Sequence, residues 1–273
     1  MDLHRRRWLA ALPLAAAALR SAAQGRAAEP GLRVGGTGAG LGVLQRLAET
    51  LPPLRATQWV PSLGTGGGLK ALAAGAIDVA LSARHLAEDE RAKGLVARAL
   101  FRTPVVWAAH AQVPVRRVSG AELAALYAGG TPAWRDGPPV RLVLRPPSDA
   151  DTALARSLSP AMADAVPLAH NRAGVLHAAT DGEASEAIER IPGSLGITTL
   201  GLLLAERRKV HVLALDGVEP GLATLANGRY PLAKTVYAVT RGTPAGAAAD
   251  WLRALGGPEA AAALAALGCA AGL

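Results

Sequence analysis

A repeated order of short apolar strand, glycine-rich turn and helix limits the folds open to this chain more than any other feature. It first appears where an apolar strand at 32–34 leads through the glycines of 35–40 into a helix near 40–51. The same order recurs at 59–82 and at 140–158. Regular alternation of strands and helices along one chain predicts an α/β fold.

The turns of the later repeats are as distinct as the first. In the second repeat a glycine-rich turn at 64–68 precedes a helix at 69–76. In the third, a polar turn at 145–151 precedes a helix at 152–158. We expect further strands at 195–199, 210–215 and 235–240, and C-terminal helices at 244–255 and 258–267.

An apolar segment at 104–109 lies between the second and third repeats and is typical of a strand. It can carry the chain from one lobe into another. We therefore predict two α/β lobes, with residues 29–107 and 208–273 in the first lobe and residues 108–207 in the second.

The N-terminal segment, residues 1–28, has the three zones of a secretory signal peptide. Three arginines at 5–7 precede an apolar run at 8–19, and small residues follow. That run is 12 residues long, whereas a membrane-spanning helix needs about 20. We expect cleavage between Gln24 and Glu29 and a soluble periplasmic protein. The arginines fit either the general secretory or the twin-arginine route, and both stay open.

Charge and composition exclude several classes of protein. The net charge of +8 is concentrated in the leader, because 24 Lys and Arg stand against 20 Asp and Glu after residue 28. This mild basicity and the 3% aromatic content argue against a nucleic-acid-binding protein and favour a small anion as the partner. The single cysteine, Cys269, excludes an internal disulfide and a zinc site built on several thiolates.

Each of the three turns opens a helix, and the first turn of a helix exposes backbone N–H groups with a partial positive charge behind them. Such turns bind oxyanions. Thr37 and Thr65 would add hydroxyl donors, and Arg145 ends a strand just before the third turn, where it could form a bidentate contact. The alternative is that the glycines only provide the backbone conformation of a tight turn.

The better-known nucleotide and enzyme motifs are absent. The glycines at 36–42 do not fit G-x-G-x-x-G in any register, and those at 64–68 are not followed by the Lys-Ser/Thr of a P-loop. The sequence contains neither G-x-S-x-G nor H-E-x-x-H. His170 and His177 lack a nearby third ligand, so we expect no metal site, no cofactor and no catalysis.

Taken in order, the turns resemble those of the periplasmic phosphate-binding proteins of ABC transporters. The resemblance extends over roughly residues 31–265 and implies a type II periplasmic-binding-protein fold, in which two lobes close on an oxyanion. Its motifs are Gly36-Thr37-Gly38-Ala39, 63–70, 74–82, Leu126-Tyr127-Ala128-Gly129, Trp134, Arg145, 192–197 and Tyr230-Pro231-Leu232.

The resemblance also implies where the ligand binds, at three anion-binding turns. The first turn consists of Thr37, Gly38 and Ala39, and the second of Thr65 and Gly66. The third consists of Arg145 with Ser148, Asp149, Asp151 and Thr152.

This chain departs from the family pattern at positions that bear on ligand selection. Only Thr37 has a hydroxyl group in the first turn, where the family usually has two. The usual proton-accepting Asp is replaced by Ala83, and the third turn carries two carboxylates, Asp149 and Asp151. Either carboxylate could replace the missing acceptor, and Arg84 would add a donor if it turns toward the ligand.

These observations predict a monomeric periplasmic binding protein that captures phosphate or a related tetrahedral anion and delivers it to an ABC permease. One alternative is an anion-sensing or scaffold protein of the same fold that serves no transporter. A second alternative is a secreted phosphate-ester hydrolase, which would need a nucleophile or metal cluster that the sequence does not show.

Overall fold

The structure is a computed structural model that describes residues 31–272, so the predicted signal peptide lies outside the described residues. Strands and helices alternate along the chain. The strands are β1 (Arg33–Gly36), β2 (Gln58–Trp59), β3 (Val79–Ser82), β4 (Leu95–His110), β5 (Arg117–Val118), β6 (Arg141–Leu144), β7 (Leu176–His177), β8 (Ser194–Thr199), β9 (Val210–Val212), β10 (Ala214–Leu215), β11 (Ala233–Arg241) and β12 (Ala270–Ala271). The helices are α1 (Gly38–Ala48), α2 (Gly64–Ala73), α3 (Glu88–Ala92), α4 (Gly120–Ala128), α5 (Ala150–Ser157), α6 (Pro160–Asn171), α7 (Asp181–Arg190), α8 (Leu200–Ala205), α9 (Leu222–Ala226), α10 (Gly246–Leu255) and α11 (Pro258–Ala266).

The predicted strand–turn–helix repeats are confirmed, with one correction at the second turn. The segment at 64–68 is not a turn, because α2 already begins at Gly64. Gly68 is needed for close packing, because a methyl group on it would lie 2.7 Å from the Cα atom of Gly36 in β1. A run of glycines, which usually predicts a turn, here lets a helix lie directly against a strand.

The sheet is organised around β4, which is 16 residues long. Its first half pairs antiparallel with β11, and its second half pairs antiparallel with β8 and β9. On the far side of β11 lie β3, β1 and β2, and on the far side of β8 lie β6 and β7. The predicted strand at 104–109 is therefore the middle and end of this central strand.

Separate hydrophobic cores lie along the two halves of β4. The larger core surrounds Val105 and Trp107 and extends in sequence to Leu232. Phe101, in the first half of β4, belongs to a second core with helices α1, α10 and α11. A third, smaller core packs α2 against β3 and β11.

Two groups of parallel strands bring the polar turns to one side of the sheet. Strands β1 and β3 are parallel neighbours, and β6 is parallel to β8. Side chains that follow the carboxyl ends of parallel strands meet at the same sheet edge, which is where α/β proteins usually bind ligands. None of the helices that the structure describes is long and apolar enough to cross a membrane.

Candidate functional site

A cleft of about 780 Å³ lies at the end of β1 and beside the start of β11. This volume is within the range of small-molecule sites. The cleft is lined by six of the residues that the sequence predicts as ligand contacts: Thr37, Thr65, Gly66, Arg84, Ser148 and Asp149.

The segment that the sequence predicts as the second anion-binding turn forms the N-terminus of α2 and is open to the cleft; it keeps the name second turn here. The helix α2 begins there without a side-chain cap, so its first amides keep their donors free of a capping partner. A methyl group placed on Gly66 would meet no atom within 4 Å. The Thr65 hydroxyl accepts a hydrogen bond from the Ala83 amide at 2.9 Å, which orients it and leaves its proton available for a ligand.

The first turn already holds an anion, the carboxylate of Asp181. The Thr37 hydroxyl donates to Asp181 Oδ2 at 3.3 Å, and the backbone amide of Ala39 lowers the pKa of the same carboxyl. A methyl group on Gly38 would lie 3.1 Å from Asp181 Oδ2, so the glycine lets the carboxylate approach closely. Asp181 begins α7 and is 4% exposed.

Arg145 connects the third turn to the rest of the protein. Arg145 is 2% exposed; it donates from Nη1 to the Ala178 carbonyl at 2.7 Å and from Nη2 to Asp149 Oδ2 at 2.9 Å. Its Nη2 also lies 3.8 Å from Asp181 Oδ2. The guanidinium is therefore engaged by the protein itself and lies beneath the cleft, not in its lining.

Asp149, Asp151 and Thr152 stabilise the turn in which they lie. Asp149 caps α5 by accepting from the Asp151 amide at 2.9 Å. The Thr152 hydroxyl donates to the carbonyls of Arg145 and Pro146. Ser148 is exposed at the cleft surface.

Lys234, in β11, completes a cluster of five buried or half-buried charges. Its Nζ lies 2.5 Å from Asp151 Oδ1 and 3.4 Å from Asp181 Oδ1. Two cations, Lys234 and Arg145, thus face three carboxylates, Asp149, Asp151 and Asp181. With all five ionised, the cluster carries one negative charge in excess.

The pKa values of the cluster reflect this imbalance. Burial raises the pKa of Asp151 to about 6, and the neighbouring carboxylates oppose the stabilising charge of Lys234. Burial also acts to raise the pKa of Asp181, but Lys234, Arg145 and the Ala39 amide outweigh it and leave that pKa below its ordinary value. Burial alone would lower the pKa of Lys234, yet Asp151 and Asp181 raise it.

Arg84 lies at the cleft rim and does not turn inward, contrary to the expectation of an added donor. Both terminal nitrogens of its guanidinium bond the Glu90 carboxylate at 2.8 Å. Its side chain is 44% exposed. Nearby, His85 Nε2 and the Tyr237 hydroxyl are hydrogen-bonded at 2.9 Å.

The structure brings the predicted residues together at two depths. The six residues listed above line the cleft, whereas Gly38, Ala39, Arg145, Asp151 and Thr152 lie behind its wall. Whether any of them contacts a ligand stays a prediction. Sequence reasoning missed Lys234 and Asp181.

Both missed residues have a recognisable signal. Lys234 is a lone charge at the start of the β11 strand, whose residues are otherwise largely apolar, and a buried lysine requires an acidic partner. Asp181 follows the helix cap Thr180. Residues 31–272 contain no group of three His, Cys, Asp or Glu side chains arranged to hold a metal ion.

Comparisons with known proteins place this geometry in a family. A family model described as a PBP superfamily domain matches residues 20–256. The phosphate-binding protein PstS of Bacillus subtilis (strain 168) is 27% identical over 199 residues, a match that covers 69% of this chain and 62% of that protein. This chain thus spans less than two thirds of its curated relative.

Two solved structures share the fold. A candidate phosphate ABC transporter substrate-binding protein from Clostridium perfringens, with bound phosphate, has a TM-score of 0.73 at 15% identity, covering 88% of this chain and 98% of that one. The periplasmic molybdate-binding protein of Azotobacter vinelandii has a TM-score of 0.59 at 17% identity, covering 89% and 100%. The predicted two-lobed α/β fold of type II periplasmic binding proteins is confirmed.

Proposed function

Since this chain belongs to the PBP superfamily, we propose that it is a periplasmic solute-binding protein that captures a small oxyanion, phosphate or a related tetrahedral anion, in the cleft described above. It delivers the anion to the permease of an ABC transporter. It acts as a monomer and catalyses no reaction on the anion.

The observation that carries this proposal is the open second turn. The N-terminal amides of α2 and the Thr65 hydroxyl face the same cleft as the Ser148 hydroxyl. Donors that are fixed by a helix and a turn suit an anion, because they need no reorganisation when it binds. The relatives support the same class of ligand, since one is named for phosphate and another for molybdate.

The lobes and the leader belong to the same proposal. We place residues 29–107 and 208–273 in one lobe and 108–207 in the other, with the cleft between them. The larger core suggests a refinement, because Leu213 and Tyr230 pack in it with Trp107. The return to the first lobe then falls near Ala233, where β11 begins. Residues 1–28 serve as an export signal.

We expect weak discrimination between phosphate and sulfate. Hydrogen phosphate carries a proton that a carboxylate can accept, whereas sulfate does not, and Ala83 lacks a carboxylate at the family's acceptor position. The two affinities should lie within about tenfold of each other. Isothermal titration calorimetry of the wild-type protein with each anion at neutral pH measures this ratio.

A matched pair of serine variants locates the binding event. Ser148→Ala removes a hydroxyl group at the cleft and should weaken binding about three- to tenfold, the equivalent of one hydrogen bond. Ser157→Ala removes a hydroxyl group from the end of α5, away from the cleft, and should leave the affinity unchanged. Absence of binding for both anions would contradict the proposal.

A further inference from the structure

We propose that Asp181 is an internal ligand of the first turn, and that an external anion reaches Thr37, Gly38 and Ala39 only by displacing it. This inference rests on the proposed function and deepens it, because it states what the external anion must compete with. The competitor is a carboxylate of the protein itself.

The contacts of Asp181 are those of a bound oxyanion. The Thr37 hydroxyl donates to it, and the backbone amide of Ala39 at the N-terminus of α1 lowers its pKa. The two buried cations approach the same carboxylate, Lys234 at 3.4 Å and Arg145 at 3.8 Å. Hydroxyl, helix amide and paired cations are the set of donors that an oxyanion site requires.

Local structure does not require the Asp181 side chain to lie there. Asp181 is the first residue of α7, but that helix is capped by Thr180, whose hydroxyl accepts from the Glu183 amide at 3.1 Å. The Asp181 side chain is thus free of any capping role in its own helix. It reaches instead across 144 residues of sequence to the N-terminus of α1.

The charge balance makes the competition direct. With Asp181 in place, three carboxylates face two cations, so a dianion added beside them meets net repulsion. When Asp181 is withdrawn, Arg145 and Lys234 are balanced by Asp149 and Asp151 alone. The donors of the first turn are then free to receive an external anion.

The site is positioned for such an exchange. Thr37 and Lys234, which both contact Asp181, line the cleft, and so does Asp149, which shares Arg145 with it. So does Ala179, which lies two residues before Asp181. A shift of the segment that leads into α7 would withdraw the carboxylate and connect the first turn with the cleft.

The test uses the full-length mature protein and two anions, formate and inorganic phosphate. Formate is a free carboxylate of the size that Asp181→Ala removes. We expect millimolar formate to raise the Tm of Asp181→Ala by several degrees and to leave the wild type unchanged. We also expect phosphate to bind Asp181→Ala at least about tenfold more tightly, because a tethered competitor acts at a high effective concentration.

Two further variants separate this effect from general damage. Asp181→Asn keeps the shape of the side chain and removes its charge, so phosphate affinity should rise even if Asp181→Ala folds poorly. Glu186→Gln removes one charge from the exposed face of α7, where Glu186 pairs with Arg190, and should change neither formate nor phosphate binding.

The failures of the two proposals are distinguishable. If formate stabilises the wild type and Asp181→Ala equally, or if phosphate binds both Asp181 variants no more tightly than the wild type, the internal ligand is refuted. If formate binds only Asp181→Ala while neither phosphate nor sulfate binds the wild type, Asp181 is the internal ligand and the proposed function is what fails.

Discussion

The N-termini of α1 and α2 look alike in sequence and differ in the folded protein. Both helices begin in a segment of glycine and threonine beside a buried strand, and both adjoin the same cleft. A methyl group on Gly64 or Gly66 of α2 would meet no atom within 4 Å, whereas at the start of α1 the Thr37 hydroxyl donates to Asp181. A local motif thus predicts that a helix N-terminus can bind an anion, but a residue distant in sequence determines whether its donors are available.

We expect the largest loss in free energy of unfolding when the buried cation next to the first turn is removed. Lys234→Met leaves three carboxylates with Arg145 as their only buried cation, and unpairing buried charges costs about 3 to 5 kcal/mol. Urea unfolding at pH 7 measures this loss. Lys70→Met, the same substitution on the exposed face of α2, should change the free energy of unfolding by less than about 0.5 kcal/mol.

Gly36 lies just before α1, and Gly64 is the first residue of α2. Both have a positive φ, but a methyl group on Gly36 would lie 2.2 Å from the Leu81 carbonyl oxygen, whereas one on Gly64 would meet no atom within 4 Å. Gly36→Ala should therefore destabilise the protein by about 3 kcal/mol or more, from strain and overlap together. Gly64→Ala should cost about 1 kcal/mol, from backbone strain alone. Equal losses in thermal unfolding would show that the first turn is no more tightly packed than the second.

A smaller expected effect is a pH dependence of the free energy of unfolding that arises near the first turn and not near the second. Asp151 is linked to the first turn through Lys234 and Asp181. Its pKa is raised to about 6 in the folded protein, against about 3.9 in an unfolded chain. Folding therefore takes up a proton between about pH 4 and pH 6. This contribution is fully present below pH 4 and is lost as the pH rises through 6, by about 2 to 3 kcal/mol.

The measurement compares wild type with Asp151→Asn by urea unfolding at pH 4, 5, 6 and 7. The difference in free energy of unfolding between the two proteins should change with pH across this window, because the variant cannot titrate there. A difference that stays constant from pH 4 to 7 would show that Asp151 is ionised throughout. Among the described residues, no charged group of this cluster belongs to the N-terminus of α2. The difference in free energy of unfolding between wild type and Lys70→Met should therefore stay constant from pH 4 to 7.

The fold was largely predictable because its signals are local and repeated. Strand–turn–helix periodicity located β1, β2 and β6 with the helices that follow them, and also the strand β3. The exact start of α2 was not predictable, since its glycines are selected by contact with Gly36 and not by a turn. That contact joins two segments whose proximity only the folded sheet determines.

The site was less predictable than the fold, for a physical reason. The sequence predicts that Arg145 contacts the ligand, but it could not show that Asp149 and the Ala178 carbonyl also contact this side chain. The sequence also could not show that Arg84 pairs with Glu90 and does not turn toward the cleft. A donor's availability depends on which acceptors lie nearby in space, and helix and strand periodicity carry no such information.

Strand β4 has a consequence for how the molecule comes apart. One continuous strand contributes Phe101 to one core and Trp107 to another, so both cores depend on the same central strand. Unfolding of one core would remove hydrogen-bond partners from β4, on which the other core also depends. The two cores are thus coupled through their shared backbone, and we expect them to unfold together in one cooperative transition.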